Sequence, residues 1–155
     1  MKKLFETLLP AKADNTIRGS KLSFYVFILI ASVGTARSVI HLLAPDGGAG
    51  SIAGMDLSVA GANGIIFAFA LWGSAQLIYA LIQWLVIFHY RSLISFMWAV
   101  QLLETLLRVL VGHIKPVTFA RTPPGAIENY VYLPLAVLML VLSLWSANKQ
   151  ADEAK

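Results

Sequence analysis

Four stretches of this chain are almost continuously apolar, and each is closed by residues that interrupt a helix. The first, residues 22–43, reads LSFYVFILIASVGTARSVIHLL and stops at Ala44-Pro45-Asp46-Gly47-Gly48. The second covers residues 64–88 and ends at a short turn, His89-Tyr90-Arg91. The third, residues 92–111, is closed by His113-Ile114-Lys115-Pro116, and the fourth covers residues 129–145 with Pro134 as a possible kink. Each is near the ~20 residues that a helix needs to cross hydrocarbon. The pattern predicts an all-α integral membrane four-helix bundle, up-down-up-down.

The connecting segments differ in kind. Residues 49–63 are rich in small residues, with Asp56 their only charge, and are expected to pack over one end of the bundle. Residues 117–128 carry Arg121 and the rigid turn Pro123-Pro124-Gly125. Residues 1–21 form a basic N-terminal segment. Leu4, Phe5, Leu8 and Leu9 share one helical face, which suits an interfacial helix before Pro10, with a disordered tail as the alternative. Residues 148–155 form a charged tail. Lys21 followed by an apolar run and Gly34-Thr35-Ala36 resembles a secretion signal, but the long polar region ahead of it argues against cleavage.

Composition agrees with this picture. The chain is 58% hydrophobic and 13% charged over 155 residues, where soluble domains carry about 25% charged residues. The net charge of +4 reflects membrane topology rather than nucleic-acid binding. With both termini on one side, eight of the twelve Lys and Arg residues lie on that side and only Lys115 and Arg121 on the other. The positive-inside rule then places both termini in the cytoplasm, and the chain in the inner (cytoplasmic) membrane. Cysteine is absent, which removes disulfides, thiol redox chemistry and cysteine-ligated clusters.

The polar residues inside the spans carry the functional expectation. Gly34, Arg37, Ser38 and His41 form one helical stripe, and Gln101, Glu104 and Arg108 form another. Gln76 and Gln83, with Tyr79 between them, mark the second span. Lipid cannot satisfy such groups, so the stripes are expected to face the bundle interior. At 1.5 Å per residue, Arg37 lies ~22 Å, Glu104 ~18 Å and Arg108 ~24 Å from the inner side, so the charges gather in the outer half. Glu104 and Arg108 are spaced for an ion pair. Arg37 has no carboxylate on its own helix, leaving a shared Glu104, Asp46, Asp56, Glu128 or an external anion as its partner. A shared Glu104 would leave one positive charge in the cavity.

Three functions follow as expectations. The first is binding or transport of an anionic or amphiphilic small molecule or lipid in a polar cavity, with Arg37, His41, Gln76, Gln101, Glu104 and Arg108 as ligand-binding residues. The second is a structural or accessory subunit whose charged cluster holds helices together. The third is a lipid-modifying enzyme using Glu104 or His41 as acid or base. The bilayer and a second copy of the chain are the expected partners. No cofactor is expected, haem on His41 and His113 being the remote alternative. Trp72 and Trp98 are expected to fill the bundle with their indole N–H groups on Gln76 or Gln101, or else to line an apolar pocket. The glycine run Gly48–Gly54 follows a membrane span and lacks the lysine of a phosphate-binding loop.

Overall fold

A computed structural model describes residues 2–119 and 122–153. Arg121 and Lys155, two of the charges weighed above, lie outside the described residues. Helix α1 covers Lys2–Leu8, α2 Lys21–Leu43, α3 Ala62–His89, α4 Ile94–Ile114 and α5 Pro124–Glu153, and a 3-10 turn, Arg91–Leu93, joins α3 to α4. The described residues contain no strand. Four segments, Lys21–Leu43, Ala62–His89, Arg91–Ile114 and Ile127–Trp145, are long and apolar enough to cross a membrane.

Local chemistry sets the helix ends. Ala44 precedes Pro45, which disfavours the helical conformation, and Ala44 turns extended at φ −66°, ψ 143°. Lys115 stands in the same position before Pro116 and leaves the helix at ψ 69°. Gly61, at φ +88°, starts α3 from a left-handed conformation that a glycine takes without strain. α5 starts at Pro124, five residues ahead of the expected start of the fourth span, because proline suits the first position of a helix, where its missing N–H is not needed. The helix then runs through Pro134. This early start brings Glu128 onto a helical face.

α2 packs mainly on α3, and α4 mainly on α5. Contact between α2 and α3 depends on small residues. A Cβ on Gly73 would lie 2.7 Å from the His41 Cβ and 2.8 Å from the Leu42 nitrogen, so only glycine allows this approach. The indole N–H of Trp84 donates to Thr35 Oγ1 at 2.9 Å across the same seam. Ser95 and Ser143 bond at 2.6 Å between α4 and α5. The two pairs join through Ser23, whose hydroxyl donates to the Met139 carbonyl at 3.1 Å. The Ser23 carbonyl also accepts from the Trp98 indole at 3.3 Å. That bond goes to α2 and not to Gln101, because Trp98 points into the aromatic core against Phe27.

The core of Phe24, Phe27, Ile87, Ile94, Met97, Trp98, Ala136 and Met139 occupies the half of the bundle nearer the 3-10 turn. The N-terminal segment closes that end. The Ser92 hydroxyl accepts from the Asp14 N–H at 2.9 Å and contacts the Asp14 carbonyl at 3.0 Å. The Ser92 N–H also donates to this carbonyl at 3.2 Å. Residues 44–61 and 115–119 leave from the opposite half, where Arg37, Gln76, Glu104 and Arg108 gather.

Candidate functional site

The half of the bundle away from the 3-10 turn contains a cavity of about 230 Å³ to which all four long helices contribute. α2 supplies Gly34, Arg37 and Ser38; α3 supplies Trp72, Gln76, Tyr79 and Gln83. Gln101, Glu104 and Arg108 come from α4, and Glu128 and Tyr132 from α5. Five of the six residues expected to bind a ligand therefore line one space. The helical stripes explain this, since each puts its polar positions on the side away from lipid.

His41 is the exception. It is buried, but its Nδ1 bonds the Gly47 carbonyl at 2.7 Å, and its ring packs against Phe69 and Trp72. It secures the glycine-rich loop and does not line the cavity. Gly48, at φ +71°, lies so close that a Cβ there would stand 2.8 Å from His41 Nδ1. His113 is exposed and bonds the Val109 carbonyl of its own helix at 3.0 Å. Asp46 turns inward to its own loop, where the backbone N–H of Ser51 and then that of Gly48 hold its carboxyl below the usual range. The Ser58 hydroxyl, and then the Ser58 backbone N–H, hold the Asp56 carboxyl below the usual range. Neither reaches Arg37. Among the described residues no group of three His, Cys, Asp or Glu side chains is placed to share a metal ion.

Arg37 pairs with Glu128, its Nη1 donating to Oε2 at 3.0 Å and Oε1 at 3.2 Å. Glu128 was one of several partners open in the sequence, and the early start of α5 turns it toward α2. Arg108 pairs with Glu104 one turn away on α4. Glu104 therefore does not bridge the two arginines. Two arginines and two glutamates balance in formal charge, so the positive charge that a shared Glu104 would have left does not arise. The Arg37 guanidinium also stands 5.7 Å from the Trp72 ring centroid, a cation–π distance. Trp72 thus lines the cavity instead of burying its indole on a glutamine.

The cavity floor is a bond cluster in which Gln101 Oε1 accepts from Tyr79 at 3.0 Å and from Gln83 Nε2 at 2.9 Å. Around it, several buried polar atoms have no hydrogen-bond partner among the described residues: Arg37 Nε, Arg108 Nε, Gln76 Oε1 and the Tyr132 hydroxyl. All four belong to residues lining the cavity. Buried polar atoms are ordinarily satisfied, so these four are exceptions gathered at one place, with a fifth, Asn129 Oδ1, beside Glu128 but off the lining. Tyr132 was not singled out in the sequence; its i, i+4 spacing from Glu128 becomes a signal only once α5 is known to start at Pro124. Compared with family models, curated proteins and solved structures, the chain matches none.

Proposed function

We propose that this is an integral membrane protein that binds a small amphiphilic or anion-bearing molecule in the cavity between its four long helices. The observation that carries the reading is the set of unpartnered polar atoms on Arg37, Arg108, Gln76 and Tyr132 around one space, in a chain otherwise built for hydrocarbon. An arginine whose Nη1 is held by Glu128 still has Nη2 as a donor for an incoming oxyanion. The distribution of Lys and Arg supports an up-down-up-down arrangement with both termini in the cytoplasm, which puts the cavity in the outer half of the bilayer. The small cavity also makes a homo-oligomer a reasonable form for any transport role.

A second reading rests on the Arg37–Glu128 pair, which ties α2 to α5 across the gap between the two helix pairs. In that reading the charges hold helices in place and bind nothing. Native mass spectrometry of protein extracted gently from its own membrane separates the two. A stoichiometric small molecule on the wild type that disappears in Arg37→Gln, with the fold intact, supports the binding site. Wild-type protein that carries nothing, beside an Arg37→Gln protein that unfolds, supports the structural role.

A further inference from the structure

The cavity is small, its charges balance and its sides open toward lipid. Its volume of about 230 Å³ falls below the ~300–1,000 Å³ of ordinary small-molecule pockets. A head group fits; a whole amphiphile does not. Three lining residues also lie on the outer surface of the helices: Ala75 is exposed, Val33 is 54% exposed and Trp72 38%. The exposed neighbours along the same helices are apolar, Leu29 on α2, Leu71 and Ile78 on α3, Leu103 and Leu107 on α4, and Val131 on α5. A molecule that leaves the cavity sideways therefore meets hydrocarbon.

Charge decides the kind of head group. A site of two arginines and two glutamates offers no net attraction to a bare anion, but each end of a dipole finds a partner in it. The carboxylate side chains are the more open members of both pairs, Glu128 at 41% against Arg37 at 22%, and Glu104 at 36% against Arg108 at 21%. Trp72 and Tyr79 of α3 add aromatic surface to the cavity, which suits an organic cation. The guanidinium groups of Arg37 and Arg108, both on the cavity lining, suit a phosphate.

Building on the binding-site reading above, we infer that the cavity takes the zwitterionic head group of a bilayer amphiphile. Its phosphate lies toward the two arginines and its ammonium toward Glu104 and Glu128. Its hydrocarbon leaves through the side of the bundle.

The test uses the full chain in a neutral maltoside detergent with three probes: lysophosphatidylethanolamine, lysophosphatidic acid, and glycerophosphoethanolamine, which is the first without its tail. Gly34 lines the cavity, and a Cβ built on it meets nothing within 4 Å, so Gly34→Leu fills the space without a clash at its base. The wild type should retain lysophosphatidylethanolamine, and Gly34→Leu should lose it while keeping its helical spectrum. Glu128→Gln leaves one positive charge and should move the preference toward lysophosphatidic acid by about tenfold, worth ~1.4 kcal/mol. Glu104→Gln should do the same and serves if Glu128→Gln does not fold. Equal retention of the tailless head group overturns entry from the bilayer and leaves the binding site standing. A wild-type preference for lysophosphatidic acid overturns the zwitterionic assignment. Retention of no probe, or retention that Gly34→Leu leaves unchanged, overturns this inference together with the binding site itself.

Discussion

Gly34 lies inside α2 and Gly48 in the loop that follows it, and their replacement by alanine should have opposite results. Gly34 is helical and its side faces open space, so Gly34→Ala removes backbone freedom from the unfolded chain and should stabilise by about 0.5–1 kcal/mol. Gly48 is left-handed and pressed on the His41 ring, so Gly48→Ala should cost about 1–3 kcal/mol. Thermal unfolding in one detergent compares them, and equal effects would contradict the packing described for the loop. Arg37 and Glu128 should likewise behave as a unit. Each single glutamine variant leaves a charge without its partner, and the double variant should recover roughly 1–2 kcal/mol relative to additivity. An additive cycle would mean that the pair contributes nothing. At this scale the sequence was readable where helical spacing alone decides the neighbour. Glu104 and Arg108 are one turn apart, and their pairing follows from that. The partner of Arg37 did not follow, because Glu128 is 91 positions away. His41 shared its stripe with Arg37, but what it bonds depends on where the loop puts the Gly47 carbonyl, and spacing along a helix says nothing of that.

Among the elements, the N-terminal segment has the clearest pH signature. Hydrogen bonds from the Thr16 side chain, then from Arg18, and from the Thr16 backbone hold the Asp14 carboxyl at about 2, below its ordinary 3.8. A carboxyl depressed on folding stabilises the folded segment above its unfolded value, and that contribution fades as pH falls through the folded one. The clasp between Asp14 and Ser92 should therefore be intact above pH 3.8 and loosen as pH approaches about 2. Faster hydrogen exchange at the Ser92 and Asp14 amides over that window, and no such change in Asp14→Asn, is the expected record; exchange indifferent to pH after correction for its intrinsic rate would refute it. Span positions were legible because twenty apolar residues in a row admit few other structures. The start of α5 was less so. Pro123-Pro124-Gly125 carries equal weight as a turn and as a helix opening, and packing of Glu128 and Tyr132 against the other helices decides between them.

For the molecule as a whole, two helix pairs meet over one aromatic core, and Trp98 is its largest fully buried side chain. Trp98→Ala removes that volume together with the bond to the Ser23 carbonyl, and should cost about 3–5 kcal/mol. A variant melting within 1 °C of wild type would show that the core does not hold the pairs together. Core and cavity meet at Ile30, Tyr79 and Tyr132, and away from these three, cavity variants should be tolerated better than core variants. The balance of two arginines against two glutamates has a consequence for a protein that lives in an electric field. One elementary charge moved across a membrane couples to the potential by ~2.3 kcal/mol per 100 mV. A neutral cavity exchanging a neutral zwitterion moves no net charge. Occupancy should then be the same in polarised and depolarised membranes, and Glu128→Gln would make it sensitive to voltage.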